Sequence, residues 1–237
     1  MLKSRLCIAF FAFAVGCAPA QKPLTDYVNP MLGTATLWDS VDLGFKPTKR
    51  TWGAEVFPGS SLPNAMVQVS PVTKFHSGAG YQYEDSVIYG FTHTNKGHWN
   101  LCHIPLLPVT GTPTPGDYCS PFSHERESAA PGYYQVFLDR YGVDAQLSST
   151  LRCAFHKYTY PAGAAASLLA DLQRSNEHVR AWDIRKEGDN VFAGWQQTGE
   201  KMYFYAVANR PVTGIEPVVE GDREVRIVRF GEGDGAL

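Results

Sequence analysis

Between His93 and His103 the chain reads His-Thr-Asn-Lys-Gly-His-Trp-Asn-Leu-Cys-His, a stretch dense in groups that do chemistry. His93, His98, Cys102 and His103 carry the donor atoms of a zinc site. The paired short spacings that bring such ligands together (C-x2-C, H-x3-H or H-E-x-x-H) are absent, which argues against a metal. Carboxylates are the second candidate set, because acid–base chemistry needs a proton donor and a proton acceptor. Glu55, Asp85, Glu125 and Asp171 lie near turns or strand ends. No second motif pairs any of them, so solvated or turn-capping roles are the better reading for each. Aromatic residues make up 13% of the chain, and their flat apolar faces suit both a core and the C–H faces of sugar rings.

The elements that must position these groups are strands. From about Tyr27 onward, runs at 66–69, 80–83, 87–94, 102–109, 133–138, 143–147 and 153–160 read as strands. Further runs follow at 166–171, 179–185, 191–197, 202–208 and 225–230. Gly, Pro, Asp and Asn punctuate them, as in Asp139-Arg140-Tyr141-Gly142 and Glu187-Gly188-Asp189-Asn190. Many short strands at regular spacing predict an all-β fold, an antiparallel β-sandwich. Residues 29–63 are rich in Gly, Pro and Thr with weak periodicity and read as long loops, which in a compact domain are more often functional than decorative. At the far end, the turn-like stretch 231–235 calls for a returning strand, and Ala236 and Leu237 are all that follow. The domain is therefore expected to be cut at its C-terminal edge.

The totals bound the partners. A length of 237 residues suits one large domain, and a net charge of −2 offers no basic stripe for nucleic acid. Lys3 and Arg5 precede an apolar run at 6–15, the layout of a signal peptide over residues 1–20. Two exits follow: a lipobox-like Ala14-Val15-Gly16-Cys17, in which Cys17 would be lipidated, and an A-x-A site at Ala18-Pro19-Ala20. The first makes Cys17 the mature N-terminus and the second Gln21; both send the chain, with its β-sandwich domain at 21–237, out of the cytoplasm to the periplasm, the cell surface as a lipid-anchored protein, or the medium. Cys102, Cys119 and Cys153 remain, an odd number that permits at most one disulfide and equally fits buried free thiols.

Four collinear segments resemble the N-terminal domain of glycoside hydrolase family 92. They are Tyr27-Val28-Asn29-Pro30-Met31-Leu32-Gly33-Thr34; Phe57-Pro58-Gly59 with Met66-Val67-Gln68-Val69-Ser70-Pro71; Gly80-Tyr81-Gln82-Tyr83-Glu84-Asp85 running into Ile88-Tyr89-Gly90-Phe91-Thr92-His93-Thr94; and Phe122-Ser123-His124-Glu125, Pro131-Gly132-Tyr133-Tyr134 and Phe155-His156-Lys157-Tyr158. The resemblance implies calcium-dependent, inverting exo-α-mannosidases acting on mannans and N-glycans. It further implies a β-sandwich packed on an (α/α)6 barrel, with the active site at their junction. An inverting glycosidase needs an acid and a base about 6.5–9.5 Å apart. In the family both carboxylates and the calcium ligands come from the barrel, so no catalytic residue and no metal ligand is assigned here.

What the resemblance leaves to this chain is substrate contact. The loop after His93-Thr94 lies near the sandwich–barrel junction in the family, which makes His98 a candidate for hydrogen bonding and Trp99 for stacking on a bound sugar. His93, Trp52 and Glu55 are substrate-binding candidates of the same kind. Trp99 anchoring its loop against the core is the competing reading. The chain departs from the family at Phe75-His76-Ser77-Gly78-Ala79, where a Trp-rich segment is common, and at Ala54-Glu55-Val56 and Lys96-Gly97-His98-Trp99-Asn100, so no linkage preference follows. Expected partners are mannose-containing glycans and the chain's own barrel domain. The alternatives are a stand-alone carbohydrate-binding module and a purely structural surface domain.

Overall fold

Alternating burial builds the strands. In β8 (Tyr133–Leu138) Tyr134, Val136 and Leu138 are buried and their neighbours less so; β9 (Val143–Ser149) repeats the pattern with Val143, Ala145 and Leu147. Strand side chains point alternately to opposite faces, so each strand turns one face to a core. The computed structural model describes residues 22–37, 41, 44–46, 55–97, 100–232 and 236–237. Residues 1–20 with Cys17, the candidates Trp52, His98 and Trp99, and turn residues 233–235 lie outside that set.

The largest sheet has seven strands. In spatial order they are β1 (Ser60–Ser61), β2 (Gln68–Val72), β4 (Gly90–Thr92), β5 (Leu106–Val109), β11 (Ser167–Ala170), β16 (Arg223–Phe230) and β15 (Val212–Glu220). Its middle strands β5 and β11 are buried at every position, as continuous runs such as Leu106-Leu107-Pro108-Val109 imply. A four-stranded sheet follows the order β10 (Ala154–Thr159), β9, β8, β7 (Glu127–Ala130), and β9 lies over β1, β2 and β5. A three-stranded sheet of β12 (Ala181–Gly188), β13 (Val191–Gln197) and β14 (Lys201–Val207) packs β12 against β15. A short pair, β3 (Val87–Ile88) with β6 (Ser120–Pro121), completes the set. All the pairings are antiparallel, which gives the expected sandwich.

Phe91, Leu107, Leu169 and Ile227 meet Tyr134, Val136 and Leu147 across one continuous core, which reaches Ile184 and Phe192 of the three-stranded sheet. Each fully buried side chain of this size contributes about 1.5–3 kcal/mol. Gly59 of the Phe57-Pro58-Gly59 segment shows why a glycine stands there: a Cβ would sit 2.1 Å from the Val69 carbonyl oxygen and 2.5 Å from Ser70 Cα. Only a bare backbone lets the chain enter β1 that close to β2.

Several strand expectations change, and the run 102–109 keeps only β5 at 106–109. Residues 80–83 form no strand: Gly80 has φ +84° and its carbonyl accepts from both Thr73 N and Lys74 N, so a turn replaces the ladder. The run 87–94 divides after Ile88, β3 pairing with β6 and β4 with β2. Conversely, the nine-residue β15 was hidden by Gly214 and Pro217. Its place at the sheet edge tolerates the proline, and its register shifts between Val212 and Gly214.

Candidate functional site

Several loops converge beside β2 and β4, and their backbones are held in conformations that side chains usually avoid. Among the described non-glycine residues, positive φ occurs at Glu55, Asn64, His76, Leu101, Cys102 and Ile104. All but Asn64 belong to the loops around residues 55–59, 74–80 and 95–104. Such strain persists only where the surroundings over-determine it, and it clusters at functional sites.

Asn176 is the knot that ties these loops. Its Oδ1 accepts from His76 N at 2.8 Å, its Nδ2 donates to Ser77 O at 2.8 Å, and its backbone N–H donates to Leu101 O at 2.9 Å. His76 Nδ1 donates back to the Asn176 carbonyl at 3.1 Å. Asn176 follows the buried end of β11 in a Ser-Asn turn, and nothing in the spacing of the sequence signalled its reach. Glu55 is wedged alongside: a Cβ on Gly78 would stand 2.8 Å from Glu55 Cγ, and one on Gly97 would stand 2.7 Å from the Glu55 carbonyl oxygen. The two glycines admit Glu55 between the 74–80 and 95–104 loops, which places this candidate directly beside the segment that carries His98 and Trp99.

The histidines divide by environment. His103 is buried, with Nδ1 2.8 Å from Thr94 Oγ1 and Nε2 3.1 Å from both Thr198 Oγ1 and Glu177 Oε2. Burial lowers its pKa against the attraction of Glu177. His93 turns elsewhere: its Nδ1 donates to Ile104 O at 2.7 Å and its Nε2 meets His156 Nε2 at 3.0 Å. His156 Nδ1 in turn accepts from Tyr158 Oη at 2.6 Å. One proton per ring satisfies the whole chain of bonds, and burial holds His93 down to about 4 and His156 well below its ordinary value. Both nitrogens of His93 are thus engaged by protein groups. The Cys102 thiol is pushed up to about 12 by burial, which makes it a small hydrophobe rather than a ligand or nucleophile. Cys119 and Cys153 are free as well.

The carboxylates weighed from sequence have different surroundings. Asp85 Oδ2 accepts from Thr73 Oγ1 at 2.8 Å. Glu125 is exposed in a short turn at His124–Arg126. Asp171 is fully buried, accepting from Tyr118 Oη at 2.6 Å and from Arg223. The sequence reading passed over Glu127, whose buried carboxylate accepts from Tyr81 Oη, from Tyr134 Oη at 2.6 Å and from His124 Nδ1 at 2.5 Å. Its surroundings, Glu-Ser-Ala-Ala on an edge strand, carry no motif. Among the described residues no three His, Cys, Asp or Glu side chains gather as a metal group.

Next to the Asn176 knot opens a cleft of about 760 Å3, lined by His76, Glu177, His178, Arg180, Trp182 and Asp183 among others. Polar groups that donate and accept, together with an aromatic ring, match what a sugar asks of a binding surface.

Comparison with known proteins gives these loops a context. Residues 27–231 match the model of the glycosyl hydrolase family 92 N-terminal domain. No curated protein sequence matches the chain. Among solved structures, a family GH92 α-mannosidase of Bacteroides thetaiotaomicron is similar, at 24% identity and a TM-score of 0.76 over 91% of this chain and 32% of that one. The same enzyme in complex with mannoimidazole superposes at 25% identity and 0.74, over 90% and 31%. A family GH92 inverting mannosidase of Bacteroides thetaiotaomicron VPI-5482 is 21% identical with a TM-score of 0.70, over 91% and 31%. The chain thus spans about a third of the length of these solved relatives.

Proposed function

The chain belongs to glycosyl hydrolase family 92, of which it is the N-terminal domain, and from that premise we propose that it forms the substrate-shaping wall of an exo-α-mannosidase. In this reading the general acid, the general base and the calcium ligands of an inverting mechanism belong to a helical barrel beyond the described residues. Glu55, Trp52, His98 and Trp99 are the candidates for sugar contact in that wall, and of these Glu55 stands beside Gly78 of the loop that Asn176 holds. His93 acts behind them, fixing the start of the 95–104 loop by its bond to Ile104 O. The mannoimidazole bound by one relative motivates mannose as the sugar. An exported location, through the leader and with Cys17 as the anchoring residue, belongs to the same proposal, since glycans of this kind lie outside the cytoplasm.

The observation that carries the reading is the clustering of strained, mutually bonded loops at Glu55, His76 and 101–104. A preorganised surface is what a half-site requires. In the complete protein, Trp99→Ala and Glu55→Gln should each lower kcat/KM for an α-mannoside about tenfold or more while the melting temperature stays within a few degrees. Loss of folding in Trp99→Ala would show that the ring is core. Calorimetry of the isolated chain with manno-oligosaccharides provides the second arm: measurable binding there would instead make it a stand-alone carbohydrate-binding module.

A further inference from the structure

We infer that the groove between β10 and β14 is the seat of one more β-strand, supplied by the polypeptide that follows Leu237. This does not depend on the mannosidase reading. β10 ends the four-stranded sheet and β14 ends the three-stranded sheet; among the described residues no named strand pairs with either outer edge, and the two wall one groove of about 720 Å3. The groove is floored by apolar side chains of the large sheet, of β13 and of the loop before β5: Leu106, Leu168, Phe230, Phe192 and Ile104. Two long open edges above an apolar floor are an arrangement that sheets normally cover.

The chain itself has begun to cover it. Leu237 N donates to Tyr158 O at 2.9 Å while Tyr158 N donates to Leu237 O at 2.7 Å. That mutual exchange is the hydrogen-bonded pair of an antiparallel ladder. From the other wall, Asn209 Nδ2 just past β14 donates to Ala236 O at 2.9 Å. The solved relatives, of which this chain covers about a third, have further polypeptide to supply the rest.

The register follows. An antiparallel strand starting opposite Tyr158 places its second residue beyond Leu237 opposite His156 and its fourth opposite Ala154. Tyr158, His156 and Ala154 alternate with the exposed Phe155 and Lys157, so they share the inward face of β10. Leu237 points inward with Tyr158, and the second and fourth residues after it do likewise. Those two should be apolar, while the first and third face outward. Such a strand, bonded to both edges, joins the four- and three-stranded sheets into one continuous face opposite the seven-stranded sheet.

The test uses the complete natural protein with Cys153→Ser. Ala154→Cys combined with a cysteine at the fourth residue beyond Leu237 should form a disulfide within one chain under mild oxidation, and a cysteine at the third residue should not. In the parent protein, the Ala154 and His156 amides should exchange within about tenfold of the Tyr134 amide in the core of the same sheet. A disulfide between two chains would assign the groove to a second copy. Absence of the bond, free exchange at both amides, charged residues at the second and fourth positions, or a natural chain that ends at Leu237 would each overturn the inference.

Discussion

The side chains that looked most chemical in sequence fall into two populations. Glu55 stands on a strained loop between two glycines, whereas His93, Cys102, His103 and Asp171 are consumed by the fold. Sequence proximity put His93, Cys102 and His103 in one group, yet strand geometry sends the neighbouring His93 and Thr94 to different partners. The His93–His156–Tyr158 relay makes a prediction of its own. An unfolded imidazole titrates near 6.5, while burial holds folded His93 near 4 and folded His156 well below its ordinary value. Between those values the unfolded chain binds protons that the folded chain refuses. The stabilisation is therefore complete above pH 6.5 and is lost as the pH falls toward 4. Urea unfolding at pH 7, 6 and 5 should show a falling free energy, and His156→Gln should flatten the slope. Equal slopes in the two proteins would rule out the relay as the cause.

Elements were legible in proportion to how well they obey a period of two. β8 and β13 stand where the sequence put them, because an alternating face on a core allows one register. The short or interrupted strands escaped: β1 and β6 have two residues each, and β15 carries Gly214 and Pro217. The 80–83 run alternates for another reason, since Tyr81 is drawn inward to Glu127 by its hydroxyl rather than by a ladder. The loop knot was illegible because a single Asn side chain makes it across about a hundred residues of sequence, and no local pattern encodes that. Local chemistry does encode Gly59. Gly59→Ala places a methyl 2.1 Å from a backbone oxygen that cannot rotate away, so β1 must move off β2. Overpacking of this kind should destabilise the domain by about 1–3 kcal/mol, read as a lowered urea midpoint with an unchanged slope. A neutral outcome would mean that β1 is free to shift.

At the scale of the whole molecule, a sandwich offers rigidity below and loops above, and the loops here are tied mainly to one another. Asn176 couples the 74–80 loop to the 100–104 loop through bonds to His76, Ser77 and Leu101, while the core layers Leu107, Leu169 and Ile227 lie elsewhere. Removing its side chain should therefore separate two properties that a core mutation changes together. Asn176→Ala leaves the His76 N–H and the Ser77 carbonyl without their partners, a loss of about 1–3 kcal/mol if both stay buried and less if water reaches them. Because the bonds join loop to loop, the loss should appear first as local opening. Amide exchange at His76 should quicken by tenfold or more, while Tyr134 and Val136 keep their protection. On the proposed mannosidase reading, the same variant of the complete protein should raise KM and lower kcat/KM for an α-mannoside, because the proposed wall no longer holds one shape before substrate arrives. If kcat/KM is unchanged while the amides quicken, the loops are merely structural, and the wall of the active site must be sought on another face of the sandwich.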